Sequence, residues 1–509
     1  MEFVNTAWAL LPPLVAIVLA LLTKEVYTSL FVGIVTGALL VAGFAPTGTL
    51  DTIVNEGLIP SVSDNAGIFI FLVVLGIMVA LVNSAGGADA FGRWAAKHIK
   101  GRIGTQIASF VLGVLIFIDD YFNCLTVGSV MRPLTDSKNV SRAKLAFIID
   151  ATAAPICMIA PVSSWAAAVS GVAADLNVNG IDLFVSAIPF NFYSLLMIVF
   201  VIGLVFLNFD YGPMAKAEIA AYRDGELGSL GNDEVTFKEK ANLWDMLLPI
   251  ILLIIFCVAG MLYVGGFFGG DYDGDVVGAF GNTDAFQALP WGSLIALALS
   301  FIYLLVRRVL TFNEATACFT NGFNAMVPAI LVLTLAVALK NMTSLLGAAT
   351  FVAGFVGGLA PGLYAMLPAI IFLVAVFLAF STGTSWGTFG ILIPIVLPVF
   401  ANDPTLLTIG ISACLAGAVA GDHCSPISDT TVMASAGANV NHIVHVNTQL
   451  PYVITVAVVS FFMFILAGFV KSAAICLPIG VVLILVVLVV LKKTIGTSMA
   501  DIEPQASAK

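Results

Sequence analysis

One interruption of apolar sequence occurs twice in this chain at a single fixed spacing. Pro161, Val162, Ser163, Ser164 recurs as Pro426, Ile427, Ser428, Asp429, an offset of 265 residues. The same offset carries Asp119, Asp120, Tyr121 onto Thr384, Ser385, Trp386, and Pro133 onto Pro398. A proline inside a helix removes a backbone hydrogen bond and frees carbonyls, while a following serine or aspartate caps the next helical turn. Paired breaks of this kind in membrane helices point to a binding site at the interface of two internal repeats.

Composition supports the membrane reading. Of 509 residues, 60% are hydrophobic and 10% charged, too apolar for one water-soluble core. Residues 7–23 lack the basic flank and small-residue cleavage site of a secretory signal and read as a first span. The seven cysteines form no CxxC pair and read as inert buried thiols. The formal charge of -10 resides mainly in loops, and no basic, aromatic-interleaved patch suggests nucleic acid. No P-loop points to ATP coupling, and no HExxH, GxSxG or comparable motif accompanies Ser428, His423 and Asp429, so a hydrolase built on them would leave the repeat unexplained.

Lys and Arg near span ends mark cytoplasmic loops. Arg93, Lys97, Lys100 and Arg102 form one cluster, Arg132, Lys138, Arg142 and Lys144 a second, Lys216, Arg223, Lys238 and Lys240 a third, and Arg307 with Arg308 a fourth. The resulting topology puts the N-terminus outside and the C-terminus in the cytoplasm. Residues 104–131 lie between two basic clusters, which predicts a re-entrant hairpin turning near Asp119 to Asn123. The second half repeats it upside down, with residues 361–400 turning near Thr382 to Thr388, which defines an inverted repeat. The expected fold is an all-α polytopic membrane protein with two inverted repeats, re-entrant hairpins and broken helices. Its segments are leading scaffold spans (1–66), a first repeat (67–208), a cytoplasmic linker (209–243), scaffold spans (244–320), a second repeat (321–470), and a final span with its tail (471–509). Residues 88–102 and 345–359 read as interfacial helices, and His442 and His445 as residues of a solvated cytoplasmic loop.

The polar residues at membrane depth supply the candidate site: Asp119, Asp120, Asn123, Ser163, Ser164, Thr384, Ser385, Asp422, Ser428 and Asp429. A lipid-facing carboxylate there costs about 2.5 kcal/mol or more, so these groups must meet water, a cation or protein donors. Hard oxygen ligands suit Na+, and a carboxylate removed from water holds either a proton or a cation. His423 reads as a proton carrier or as a structural histidine at the break; Asp150 ranks below the other acids. No Lys or Arg lies between Lys144 and Lys216 or between Lys340 and Lys471, which favours a cation, or a zwitterion carrying an amine, over a dicarboxylate.

Four motifs in order, FIDDYFN (117–123), PVSSW (161–165), TGTSWGT (382–388) and GDHCSPISDTT (421–431), resemble the NhaC family of sodium/proton antiporters within the ion transporter superfamily. The resemblance runs over nearly the whole chain. It implies a scaffold that commonly dimerises, here a homodimer, and a transport unit that moves as an elevator in the bacterial inner membrane. The resulting expectation is a non-enzymatic secondary transporter exchanging Na+ for H+, with no cofactor beyond the transported ions. Na+ would sit at Asp119, Asn123, Ser163, Thr384, Ser428 and Asp429. The alternative on the same fold is a Na+-coupled or H+-coupled carrier of an amino acid or other small organic solute, with Trp165 and Trp386 walling its pocket or simply packing the hairpins.

Overall fold

The computed structural model describes residues 3–498 apart from 24, 174–178, 229–239, 271, 349, 352–360 and 427, together with residue 502. The described chain is almost wholly helical. Helices α1 (Leu11–Thr23) and α2 (Val26–Val41) lead, via short helices between Pro46 and Ser63, to α3 (Ala66–Ala85) and α4 (Gly87–His98). Then come α5 (Gly101–Leu115), α6 (Asp120–Asp136), α7 (Arg142–Thr152), α8 (Ala154–Cys157) and α9 (Ser164–Ala173). Helices α10 (Gly180–Ala187), α11 (Phe192–Leu207) and α12 (Gly212–Ile219) end the first half. The second half holds α13 (Trp244–Val264), α14 (Ala285–Val306), α15 (Phe312–Leu345), α16 (Pro361–Thr382), α17 (Ser385–Val399), α18 (Pro404–Cys424), α19 (Asp429–Ala438), α20 (His442–Val470) and α21 (Ala473–Thr494).

Eight of the described helices are long and apolar enough to cross a membrane, and a ninth crossing forms if α10 and α11, bent by 46°, count as one span. Their outward faces keep large apolar side chains, such as Val306 at 76% exposure and Phe377 at 66%, as an acyl-chain environment requires. The molecule is an integral membrane protein.

The breaks have local causes. Helix α16 stops at Gly383, whose φ of +68° lies in the left-handed region that glycine enters freely. Thr384 then caps α17 by accepting from the Gly387 N–H at 3.3 Å. Between α18 and α19, Ser428 accepts from the Thr431 N–H at 3.0 Å and so starts α19. The interruption at Pro161 is one of two in residues 143–171: Ala153, with ψ of -95°, separates α7 from α8, and residues 158–163 separate α8 from α9.

The two helix–break–helix units engage each other crosswise. Helices α5 and α6 pack together and on α7, as α16 and α17 pack together and on α18. Yet α6 also lies on α19, and α17 on α9, so each unit's second arm covers the half-helix that follows the other unit's break. The α6–α19 crossing is backbone on backbone, since a Cβ on Gly128 would lie 2.3 Å from the carbonyl carbon of Gly437.

Two expectations need correction. His442 and His445 belong to α20, and His445 is fully buried, its ring 2.8 Å from the Ser435 hydroxyl, because the helix begins at His442 itself and carries both rings in its first turn. The 209–243 segment is also partly built into the protein. Phe209 and Asp210 form a two-residue strand pairing with Thr497 and Ser498, and α12 buries Glu218. Burial pushes the Glu218 carboxyl above the usual range, and the Arg102 guanidinium and the Ser141 N–H, at 2.7 Å, pull it back only in part. Nearby, Lys144 pairs with Asp210, which also accepts from the Tyr452 hydroxyl at 2.5 Å. Of the expected interfacial helices, α4 occupies 87–98, whereas 352–360 lie outside the described residues.

Candidate functional site

Both breaks deliver polar groups to one buried region, where the structure sorts the candidate residues into separate groups. The first group centres on Asp422, in the last turn of α18 and fully buried. Its Oδ2 accepts from the Thr430 hydroxyl at 2.8 Å, and the Ser385 hydroxyl donates at 3.4 Å from the start of α17. Ser428 lies 3.2 Å from the Thr430 hydroxyl. Asp422, Ser385 and Ser428 are therefore brought together, with Thr430 as the link. Asp429 opens α19, but its side chain lies outside the described residues, as does Ile427.

The second group lies at the start of α6. Asp120 is fully buried and accepts from the Trp165 indole N–H at 3.1 Å, a charge-assisted bond tying the first tip to the first broken helix. The Ser164 N–H donates to the Ile118 carbonyl at 3.0 Å and reinforces the tie. Trp165 meets Trp386 at a centroid distance of 5.9 Å, and Phe389 closes the aromatic trio. The tryptophans thus pack the two tips against each other.

Several candidates act on the backbone. Asn123 donates through its amide to the carbonyls of Gly113, Ile116 and Thr152 at 2.6, 2.9 and 3.1 Å, holding the end of α5 against α7. Ser163 donates within reach of the Cys157 and Ala160 carbonyls and accepts from the Ala166 N–H, which caps α9. Thr384 likewise caps α17. These roles leave the Asn123 Oδ1 and the Ser164 hydroxyl as buried oxygens without a hydrogen bond among the described residues.

Asp119, although only 2% exposed, lines a cavity of 440 Å³ between α2, α3, α15, the α5–α6 tip and α19.

One pair outranks its place in the sequence reading. Asp150, fully buried in α7, accepts from Thr431 at 2.9 Å and from the Gln449 amide at 2.8 Å through Oδ2. Its Oδ1 faces the His423 Nε2 at 3.8 Å, beyond hydrogen-bond reach, and neither facing atom has a hydrogen bond among the described residues. The other ring nitrogen of His423 lies 3.0 Å from the Tyr193 hydroxyl. Tyr193, His423, Asp150, Thr431 and Gln449 form a buried chain beside Thr430 and Asp422. Its sequence signal is Asp150 itself, the lone carboxylate between Asp136 and Asp175.

Among the described residues no three His, Cys, Asp or Glu side chains converge as a metal cluster. An ion here would be held by one or two carboxylates with hydroxyls and carbonyls, oxygen donors that suit hard cations rather than soft, thiophilic metals.

The chain is 36% identical over 508 residues to an uncharacterized protein of Haemophilus influenzae, covering 97% of this chain and 96% of that one. It is 27% identical over 225 residues to the Na+/H+ antiporter NhaC of Bacillus subtilis, covering 39% and 48%. It is 35% identical over 92 residues to the malate-2H+/Na+-lactate antiporter of the same species, covering 18% and 20%. The fold is similar to that of the YdaH transporter of Alcanivorax borkumensis, with a TM-score of 0.51, 15% identity and coverage of 84% and 90%. Residues 157–469, which include both breaks of the second half, match the Na+/H+ antiporter family, and the chain belongs to that family of secondary transporters.

Proposed function

We propose that the protein exchanges Na+ for H+, with Na+ held at the Asp422 group and the proton carried by the Asp150–His423 pair. The observation that carries this reading is the buried Asp422 carboxylate, surrounded by hydroxyls from both the α16–α17 tip and the α18–α19 break. A dehydrated carboxylate needs a compensating positive charge, and Na+ or a proton meets that need in exclusive turns. Asp150 and His423 face each other across a gap with no bonded hydrogen between them, so one proton added there converts the contact to a charge-assisted bond. Thr430 and Thr431, adjacent on α19, touch the two carboxylates separately and couple their occupancies.

Alternating access follows, in this reading, from an inverted repeat whose crosswise-packed breaks move together as an elevator against a scaffold that includes α3 and α15. In the same reading the N-terminus lies outside and the C-terminus in the cytoplasm, which the charge pattern supports, and the membrane is a bacterial inner membrane.

A second reading is favoured by the cavity beside Asp119, which is larger than a bare ion needs. In that reading the cation gradient drives an organic solute, as the name of the malate-2H+/Na+-lactate relative indicates for that protein.

The test is proton flux in proteoliposomes carrying a pH dye, after separate pulses of Na+, Li+, K+ and pooled organic solutes. Flux with Na+ alone is expected. A requirement for an organic solute together with Na+ would replace simple exchange by the second reading.

A further inference from the structure

We propose that the cavity bordered by Asp119 is a binding site for a small organic monocation, an amine of one positive charge on an apolar body. The inference rests on the reading of the chain as a cation-coupled transporter and names a second ligand for it. At 440 Å³ the cavity falls within the range of about 300–1,000 Å³ typical of small-molecule sites, well above what a single alkali ion occupies.

The lining specifies the class. Asp119 is its one ionisable acid, and neither Lys, Arg nor His appears among the described lining residues. A carboxylate exposed by only 2% at a largely apolar wall favours a positive ligand and repels an organic anion. The rings of Tyr27 and Tyr121 offer π-faces for an ammonium, and the amides of Asn83 and Asn321 offer hydrogen bonds. Val79, Ala80, Met326 and Met433 supply apolar surface for the ligand's body, the two methionines adapting to its shape.

The walls also share one side of the membrane by the charge pattern. Asn83 lies just before the basic cluster at Arg93, Asn321 follows Arg307 and Arg308, and Tyr27 follows Lys24. The cavity therefore belongs to the cytoplasmic half and receives its ligand from the cytoplasm. Met433 sits on α19 two residues from Thr431, about 3 Å along the helix axis, so the cavity and the Asp150 chain border the same segment of α19.

The experiment is isothermal titration of the full-length protein in nanodiscs with tyramine and isopentylamine as cations, 4-hydroxyphenylacetate and 4-methylpentanoate as matched anions, and tyrosine as the zwitterion. The amines are expected to bind at least tenfold more tightly than their matched acids. Asp119→Asn is expected to weaken amine binding at least tenfold, and Ala80→Trp, which fills the cavity without changing charge, to abolish it. Thermal melting identifies a variant that fails to fold, and either variant alone suffices. Tighter binding of the anions or of tyrosine, or amine binding that persists in both folded variants, overturns the proposal. No amine binding with Na+-driven proton flux intact overturns the proposal and leaves the exchange reading standing. Asp119-dependent amine binding without Na+-driven flux supports the proposal and removes simple exchange.

Discussion

Replacing Asp422 by Asn removes one charge and little else. The amide has the carboxylate's shape, and its oxygen still accepts from the Thr430 hydroxyl now 2.8 Å away. What changes in the resting fold is the charge behind two hydrogen bonds, the one from Thr430 and the longer one from Ser385, about 1–2 kcal/mol together, offset in part by the lower cost of burying an amide. The melting temperature of Asp422→Asn should therefore move by only a few degrees. Ion binding should change far more. Two unit charges about 4 Å apart at an effective dielectric near 20 attract by about 4 kcal/mol, roughly a thousandfold in affinity. Sodium-driven proton flux in proteoliposomes, compared at matched protein content, should fall below detection, and raising Na+ tenfold should not restore it. A folded Asp422→Asn protein that keeps half or more of the wild-type flux would refute the assignment and shift attention to Asp120 or Asp429.

Three other outcomes are expected. Asp150→Asn should retain Na+ binding by calorimetry while losing the pH dependence of that binding, because the proton-holding partner of His423 is gone; an unchanged pH profile would leave Asp150 a structural acceptor for Thr431 and Gln449. Gly128→Val should destabilise the protein by about 3 kcal/mol or prevent assembly, since even a Cβ would meet the Gly437 backbone at 2.3 Å; a wild-type melting curve would show that α6 and α19 separate easily. At Asp403, burial acts to raise the carboxyl, but bonds from Lys471 at 2.6 Å and from the Leu406 N–H at 3.0 Å outweigh it and hold the group below the usual range. A depressed carboxylate stabilises above its unfolded pKa, about 3.9, and loses that effect as pH falls through the folded value. Discounted for partial exposure, wild type should exceed Asp403→Asn by about 0.5–1 kcal/mol at pH 7, with the gap closing as pH falls below the unfolded value and through the depressed folded one.

The places where polarity intrudes on an apolar run were legible in the sequence. Thr384 and Ser428 stand at helix starts, and the Asp119–Asp120 step stands at the junction of α5 and α6, because each position is dictated by chemistry local to a few residues. Local chemistry does not reveal partners. Trp165 and Asp120 are 45 residues apart within the first half and Asp150 and Gln449 are 299 apart across the halves, so the one bond depends on how the first half folds and the other on how the halves dock. Asp150 lies within an ordinary helical turn of α7, where nothing nearby distinguishes a relay from a stray acid. The sequence also suggested that Asn123 and Ser163 would face an ion. The breaks expose backbone carbonyls and N–H groups, and these nearby side chains are the shortest means of satisfying them. The histidines of α20 were misplaced for a related reason: a polar helix end reads as a loop unless its burial partner, here Ser435, is known.

The crosswise seating of α6 on α19 has a consequence for biosynthesis. When the ribosome has completed Gly128, the surface that will receive it is still about 300 residues from being made, a delay of roughly 15–60 s at ordinary elongation rates. Throughout that interval the Asp119–Asp120 tip has no counterpart from the second half, and it must wait in the insertion machinery or at the aqueous edge of the bilayer. Helix α3 is apolar enough to enter the bilayer at once, so what stays provisional is the seating of the first tip, which is completed only when α19 emerges. Severing the chain within residues 229–239 should accordingly yield two fragments that survive when made together and are degraded when made alone.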